Sequence, residues 1–241
     1  MKSGRVKIFR TRHIVEVYQY ENMPACGGGR TKSESDNWRK NRKDSGKRKR
    51  DYVRRLVSQN FGSGDRFITL TFGSESVGDV RDVSQCFEAF RAFRERLRRR
   101  FPDVKALVVV EFQDKNGRGA VHYHMICNLP YVPNRVLAEI WQNGFVRINR
   151  IKHVDNVGAY IVKYMGKALD DMRLKKRKAY YRVGKLEEPS IVWADDTTPL
   201  AELVGDAEPV YEDSYGDEFH GRILYHQYNL DRDVSESNET E

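Results

Sequence analysis

The chain has 241 residues, enough for one sizeable domain with appendages or for two small ones. At 39% hydrophobic and 32% charged it reads as a soluble folded protein. No stretch approaches the roughly 20 apolar residues of a membrane helix, and the opening MKSGRVKIFRTRH lacks the apolar core of a secretory signal. A cytoplasmic protein of a prokaryotic host cell, with no membrane partner, is therefore expected. Cys26, Cys86 and Cys127 form no CxxC pair, which argues against both a disulfide framework and a zinc knuckle. The net charge of +8 is unevenly divided: residues 186–241 hold Arg222 and Arg232 against sixteen acids, a balance of −14 that leaves +22 on residues 1–185. An excess of that size is the electrostatic footprint of a chain that binds a polyanion.

In chain order, KIFRTRHIVEVYQYE predicts a strand or hairpin and MPACGGGR a turn. From Arg30 to Arg55 there are twelve Lys and Arg against four acids, Arg48 and Arg50 among them. This basic arm, expected to touch phosphate, runs into DYVRRLVSQNF, which has the apolar spacing of a short helix. RFITLTF predicts a strand, Val83 to Phe101 a helix, KALVVVEFQ a strand, NGRG a tight turn and AVHYHMICN a third strand. NRVLAEIWQNG predicts a short helix ending at Gly144, and FVRINRI a fourth strand. The order βαββαβ is the split βαβ arrangement, so the expected fold class is α+β: a ferredoxin-like antiparallel sheet with helices on one face and the other open. VDNVGAYIVKYMGKALDDM then predicts one more helix, with Asp155 as N-cap.

Successive side chains on a strand point to opposite faces, and the four strands agree on which face is which. Ile68, Leu70, Phe72, Val108, Val110, Phe112, Val121, Tyr123 and Met125 share the covered face. Thr69, Thr71, Glu111, Gln113, His122, His124 and Arg147 share the other, a set that predicts an active site.

His122 and His124, two apart on one strand, can hold one divalent ion through neutral imidazoles, although His-x-His alone is a weak signal. The NGRG turn folds Glu111 back toward them, with Gln113 as the competing third ligand or a fourth. One hard carboxylate and no thiolate suit Mn²⁺ or Mg²⁺ polarising a phosphoryl oxygen. Tyr160 and Tyr164 lie on one face of their helix, with Lys163 and Lys167 in a stripe beside them. A phenol can attack phosphorus if a cation helps to form its phenolate, since its ordinary pKa is near 10.

Taken together, RFITLTF, VVEFQ…GAVHYHMI and VGAYIVKYMGK resemble the three motifs of the HUH endonucleases, specifically the rolling-circle replication initiators of small plasmids and single-stranded phages. The pair Tyr160 and Tyr164 around Lys163 resembles the two-tyrosine class. The resemblance covers roughly residues 60–170. It implies an enzyme that nicks one DNA strand at an origin, keeps the 5′ end as a phosphotyrosine ester and rejoins it without ATP. It also implies that His122 and His124 are metal ligands, Glu111 the third, Tyr160 or Tyr164 the nucleophile and Lys163 its helper. Thr69 and Thr71 match the first motif, which supports the metal site or the DNA. No GxxxxGK[ST] run is present, so strand opening falls to supercoiling, a DNA hairpin or a host helicase, and synthesis to a host polymerase. No small-molecule cofactor is implied.

The expected organisation is a strand or hairpin with a basic arm over 1–60, the nuclease domain over 61–170, a basic helix extension over 171–185, and an acidic, partly disordered C-terminal region over 186–241. Within the extension, Lys175, Lys176, Arg177 and Lys178 with a tyrosine pair are expected to hold single-stranded DNA by phosphate contact and stacking. Other readings of the same pattern are a transposase or relaxase, and a non-catalytic RNA-recognition-like module. The last is disfavoured because stacking aromatics are missing from the expected positions on the central strands.

Overall fold

The computed structural model describes residues 6–22, 38–74, 76–114, 117–151, 157–165, 171–174, 177–194, 199–217 and 220–230. In chain order the elements are β1 (Val6–Arg10), β2 (Ile14–Tyr20), α1 (Trp38–Asn60), β3 (Arg66–Phe72), α2 (Val83–Arg100), β4 (Ala106–Gln113), β5 (Ala120–Cys127), α3 (Asn134–Trp141), β6 (Gly144–Arg150), α4 (Val157–Met165), β7 (Tyr180–Val183), β8 (Ser190–Ala194), α5 (Leu200–Val204), β9 (Pro209–Asp217) and β10 (Gly221–Asn229), with one 3-10 turn at Met172–Leu174. They fall into two compact units, Ser35–Glu187 and the two chain ends together, Met1–Glu34 with Glu188–Glu241.

In the larger unit the sheet order is β6-β3-β5-β4-β7, all antiparallel. Its first four strands have the ferredoxin-like order, as the βαββαβ pattern predicts, and the fold class is α+β. α2 starts where the Asp82 carboxylate accepts from the Ser84 and Gln85 N–H groups, satisfying donors that a helix start leaves open. Its Cys86, Phe90, Phe93 and Leu97 recur at helical spacing and pack with Trp141 of α3 against Ile68, Leu70, Val108, Val110, Tyr123 and Met125. This is the covered face that strand alternation identified.

Four features differ from the sequence expectation. α1 is one continuous helix that takes in basic residues expected to form an arm, because Val53, Leu56, Val57 and, just beyond it, Phe61 supply an apolar stripe to anchor its C-terminal half. That stripe packs with Ile161 of α4 on Phe67, Leu107, Val109 and Ile126, so the second face of the sheet is open only beyond these residues. α3 ends at Trp141, with Gln142 in the left-handed region (φ 64°), and Gly144 opens β6 instead of capping the helix. At φ 134° a Cβ on Gly144 would come within 2.9 Å of the Phe72 carbonyl carbon, so the position requires glycine.

The fourth difference is β7, expected as part of a helix extension but paired with β4 as an edge strand. Tyr181 joins the α2 side, with ring centroids 5.2 Å from Phe87 and 5.7 Å from Phe90, while Tyr180 joins the α1 side. The two tyrosines therefore serve opposite cores. Asp155, expected to cap α4, lies outside the described residues.

The smaller unit is a sheet of order β8-β1-β2-β10-β9. The expected N-terminal hairpin, β1 with β2, lies in its centre, flanked by strands from the acidic region that were not expected. Val6, Ile8, Val15, Val17, Val204 and Tyr228 form its core. No helix among the described residues is long and apolar enough to cross a membrane.

Candidate active site on the sheet

The antiparallel register sets Thr69 of β3 opposite His124 of β5, and Thr71 opposite His122. On the other side of β5, Glu111 of β4 is opposite His122. Because β5 is the middle strand, both imidazoles are nearly buried, at 8% exposure for His122 and 5% for His124. Each is seated by a threonine. Thr69 Oγ1 lies 3.2 Å from His124 Nδ1, and Thr71 Oγ1 lies 3.5 Å from His122 Nδ1. A partner at Nδ1 sets the ring orientation and leaves Nε2 for the site.

The two Nε2 atoms differ. That of His124 is 2.6 Å from Glu111 Oε2, so in the tautomer that donates here, Nδ1 is left to accept from the Thr69 hydroxyl. His122 Nε2 is buried with no hydrogen-bond partner among the described residues. A buried polar atom without a partner is rare enough to require an explanation, and a place in a metal's ligand set is one. Burial above all, with His124 nearby, pushes the His122 pKa down to about 4, Glu111 pulling the other way. The ring is thus neutral near pH 7 and keeps a lone pair available.

Gln113 stands one pair further along, opposite Ala120, where its Oε1 accepts from Arg118 Nη1 at 3.4 Å. Arg118 also donates to the Phe72 carbonyl at 3.2 Å. Two imidazole nitrogens and a carboxylate match in kind the donors of a divalent ion that keeps open positions. Among the described residues, no three His, Cys, Asp or Glu side chains are closed into a metal cage.

α4 brings both tyrosines over this set. The Tyr164 ring stacks on His124, with centroids 4.0 Å apart and planes 29° apart, and its hydroxyl donates to Tyr160 Oη at 3.2 Å. Phe67 lies against all three rings: 4.8 Å from Tyr160, 5.4 Å from Tyr164 and 5.7 Å from His124. Burial first, then the hydrogen bond to Tyr160, pushes the Tyr164 phenol up to about 12. The charge of Glu111 adds to this and Arg147 opposes it. Tyr160 is 41% exposed. The helix reaches this position because residue 158 is glycine: a Cβ there would fall 2.8 Å from the Arg54 carbonyl carbon and 2.9 Å from Arg54 Cα on α1.

Of the other residues expected at the site, Arg147 is on β6 opposite Thr69, and Lys163 is exposed on α4. Arg48 and Arg50 are on α1. Arg177, which donates to Ser84 Oγ at 2.6 Å, and Lys178 precede the edge strand β7. Lys167, Lys175 and Lys176 lie outside the described residues. Sequence reasoning missed Phe67 and Arg118. Phe67 has the strand parity of Thr69 and could have been found; Arg118 lies in a turn, where no periodicity reports direction.

No curated protein and no solved structure matches the chain. Residues 65–169 match a family model, that of the replication-associated proteins of the ORF2 type. The matched span runs from β3 through α4 and contains Phe67, both threonines, Glu111, both histidines and both tyrosines, and it supports a Rep-type replication protein whose partner is DNA.

Proposed function

We propose that this chain is a site-specific single-stranded DNA endonuclease and ligase that initiates rolling-circle replication through a covalent 5′-phosphotyrosine, as an HUH enzyme of the two-tyrosine class. The observation that carries the reading is the stacking of Tyr164 on His124, which puts two phenols on the same patch of sheet as two imidazoles and a carboxylate. A purely structural tyrosine helix has no reason to end on a buried imidazole whose neighbour has an unsatisfied nitrogen.

In this reading His122, His124 and Glu111 hold a divalent ion, Mn²⁺ or Mg²⁺, and Gln113, turned to Arg118, is left out. The ion when bound supplies polarisation of a non-bridging phosphoryl oxygen. Thr69 and Thr71 hold the imidazoles in place by their contacts at Nδ1. One tyrosine oxygen attacks phosphorus, its O–P bond forms, the bond from phosphorus to the 3′ oxygen breaks, and the phenol proton leaves as the 3′ oxygen takes one up. Attack by a 3′-OH on the phosphotyrosine reverses these steps, which is why rejoining needs no ATP.

Tyr160 is the better first nucleophile, because it is more exposed and its oxygen already accepts a hydrogen bond from Tyr164. That same hydroxyl then stabilises a Tyr160 phenolate, with Lys163 and Arg147 as nearby positive charge. A host helicase and polymerase open the duplex and extend the freed 3′ end.

The test is a labelled single-stranded origin library incubated with protein and Mn²⁺, then resolved under denaturing conditions. An SDS-resistant protein–DNA band is expected, lost in Tyr160→Phe/Tyr164→Phe and in His122→Ala. An adduct that persists in the double tyrosine variant rejects the assignment, and tight binding without any adduct favours a binding module.

A further inference from the structure

A second charged feature lies away from the tyrosines. A cavity of about 590 Å³ is bounded by α1, α2 and the segment that leads into edge strand β7. Five of its lining residues are cations, Lys49, Arg94, Arg177, Lys178 and Arg182, and none of the described lining residues is acidic. Its floor is fixed: Tyr180 and Tyr181 are committed to the two cores, and Arg177 is tied to Ser84. β7 pairs with Val109 at Tyr180, and the Ala179 carbonyl accepts from the Val110 N–H. The groove is therefore reached along the sheet edge beside Glu111.

Cations gathered from three elements with no carboxylate among them repel one another, and a polyanion is what relieves that repulsion. A sphere of the cavity's volume is about 10 Å across, narrower than the roughly 12 Å major groove of a duplex alone. With both tyrosine rings turned into the cores, recognition falls on phosphate more than on bases.

We propose that this groove is a second nucleic-acid site, which holds the phosphodiester backbone of a single DNA strand extending from the tyrosine site, without regard to sequence. The identity of the ligand as DNA rests on the nicking reading; the existence of a single-strand site does not.

The test uses full-length protein with EDTA, so that chemistry is off, and a fluorescent oligo-dT of about 30 nucleotides titrated over a range of salt. Lys49→Gln/Arg94→Gln/Lys178→Gln removes three phosphate contacts and spares Arg177, which is tied to Ser84, and Arg182 of β7. The slope of log affinity against log salt should fall by about 2, at roughly 0.7 per contact for single strands, and affinity at about 0.1 M salt should drop on the order of 100-fold. The charge-keeping Lys49→Arg/Arg94→Lys/Lys178→Arg should restore it. Arg98→Gln/Arg99→Gln/Arg135→Gln removes equal charge from outside the groove. An equal loss in that control means general attraction and overturns the site, as does an unchanged slope in the groove variant. The nicking reading is judged separately, by the tyrosine-dependent adduct of the parent protein, so either can fail alone.

Discussion

Gly158 is where the fold and the proposed chemistry depend on one atom. In an exposed helix, Gly→Ala stabilises by about 1 kcal/mol, because alanine has less backbone freedom to lose. Here the added Cβ would stand 2.8 Å from the Arg54 carbonyl carbon, where ordinary contact begins at 3.4 Å, so α4 and α1 must part by about 0.6 Å. The obstacle is backbone, which cannot rotate away as a side chain can. Overpacking of that kind costs about 1–3 kcal/mol, which outweighs the helix gain over most of its range. The shift also moves Tyr160 and Tyr164 off the imidazoles, and a misplacement near 1 Å can cost on the order of 100-fold in rate. Gly158→Ala should therefore lower stability in urea by roughly 1–2 kcal/mol and slow adduct formation at least about tenfold. A variant as stable as the parent or more so, forming adduct at the parental rate, would refute the close approach of the two helices.

Phe67→Leu keeps an apolar side chain under α4, so it should cost under about 1.5 kcal/mol, yet adduct formation should fall further than stability because both tyrosines lose the ring they lean on; parallel losses would show that Phe67 only packs. In metal-free protein, His122 titrates near 6.5 when unfolded and at about 4 when folded. Its contribution is therefore present above the unfolded value and lost as pH falls from 6.5 towards 4, by up to roughly 3 kcal/mol. Urea midpoints for the parent and His122→Asn should converge over that window; a constant gap contradicts the burial argument. Burial pushes the Cys86 and Cys127 thiols up to about 12. A Cys26→Ser variant should then show no fast thiol towards a disulfide reagent when native and two when unfolded, and a fast native reaction would place one of them at the surface.

The ferredoxin-like order was legible because strand and helix periods alternate cleanly between Arg66 and Arg150, and because local turns leave few ways to connect them. β7 was not. Tyr180-Tyr181-Arg182-Val183 is too short to show a period, and it follows a run of cations that favours a helix or no structure at all. The smaller sheet was illegible for a different reason: its central hairpin is at one end of the chain and its flanking strands are at the other, so only tertiary pairing brings them together. An acidic segment with Ile191, Val192 and Trp193 reads as a tail until its partner strand is known.

At the site, strand parity was enough to assign Thr69, Thr71, Glu111, His122 and His124 to one face, but it treats each face as uniform along its length. Here the face changes character midway. Phe67, Leu107, Val109 and Ile126 share the parity of the polar set, and a sheet face carrying four such side chains has to be covered. The helices with apolar stripes left to cover them were α1 and α4, which is why α4, with a single fully buried Ile161, docks just short of the histidines instead of lying free beside the sheet. The boundary between apolar and polar halves thus sets where the tyrosines stop. A search for the same boundary on other βαββαβ sequences needs only the strands: the apolar residues that share the polar set's parity give the footprint of the nucleophile helix, and the first polar pair beyond them gives the residues its aromatic side chains will meet.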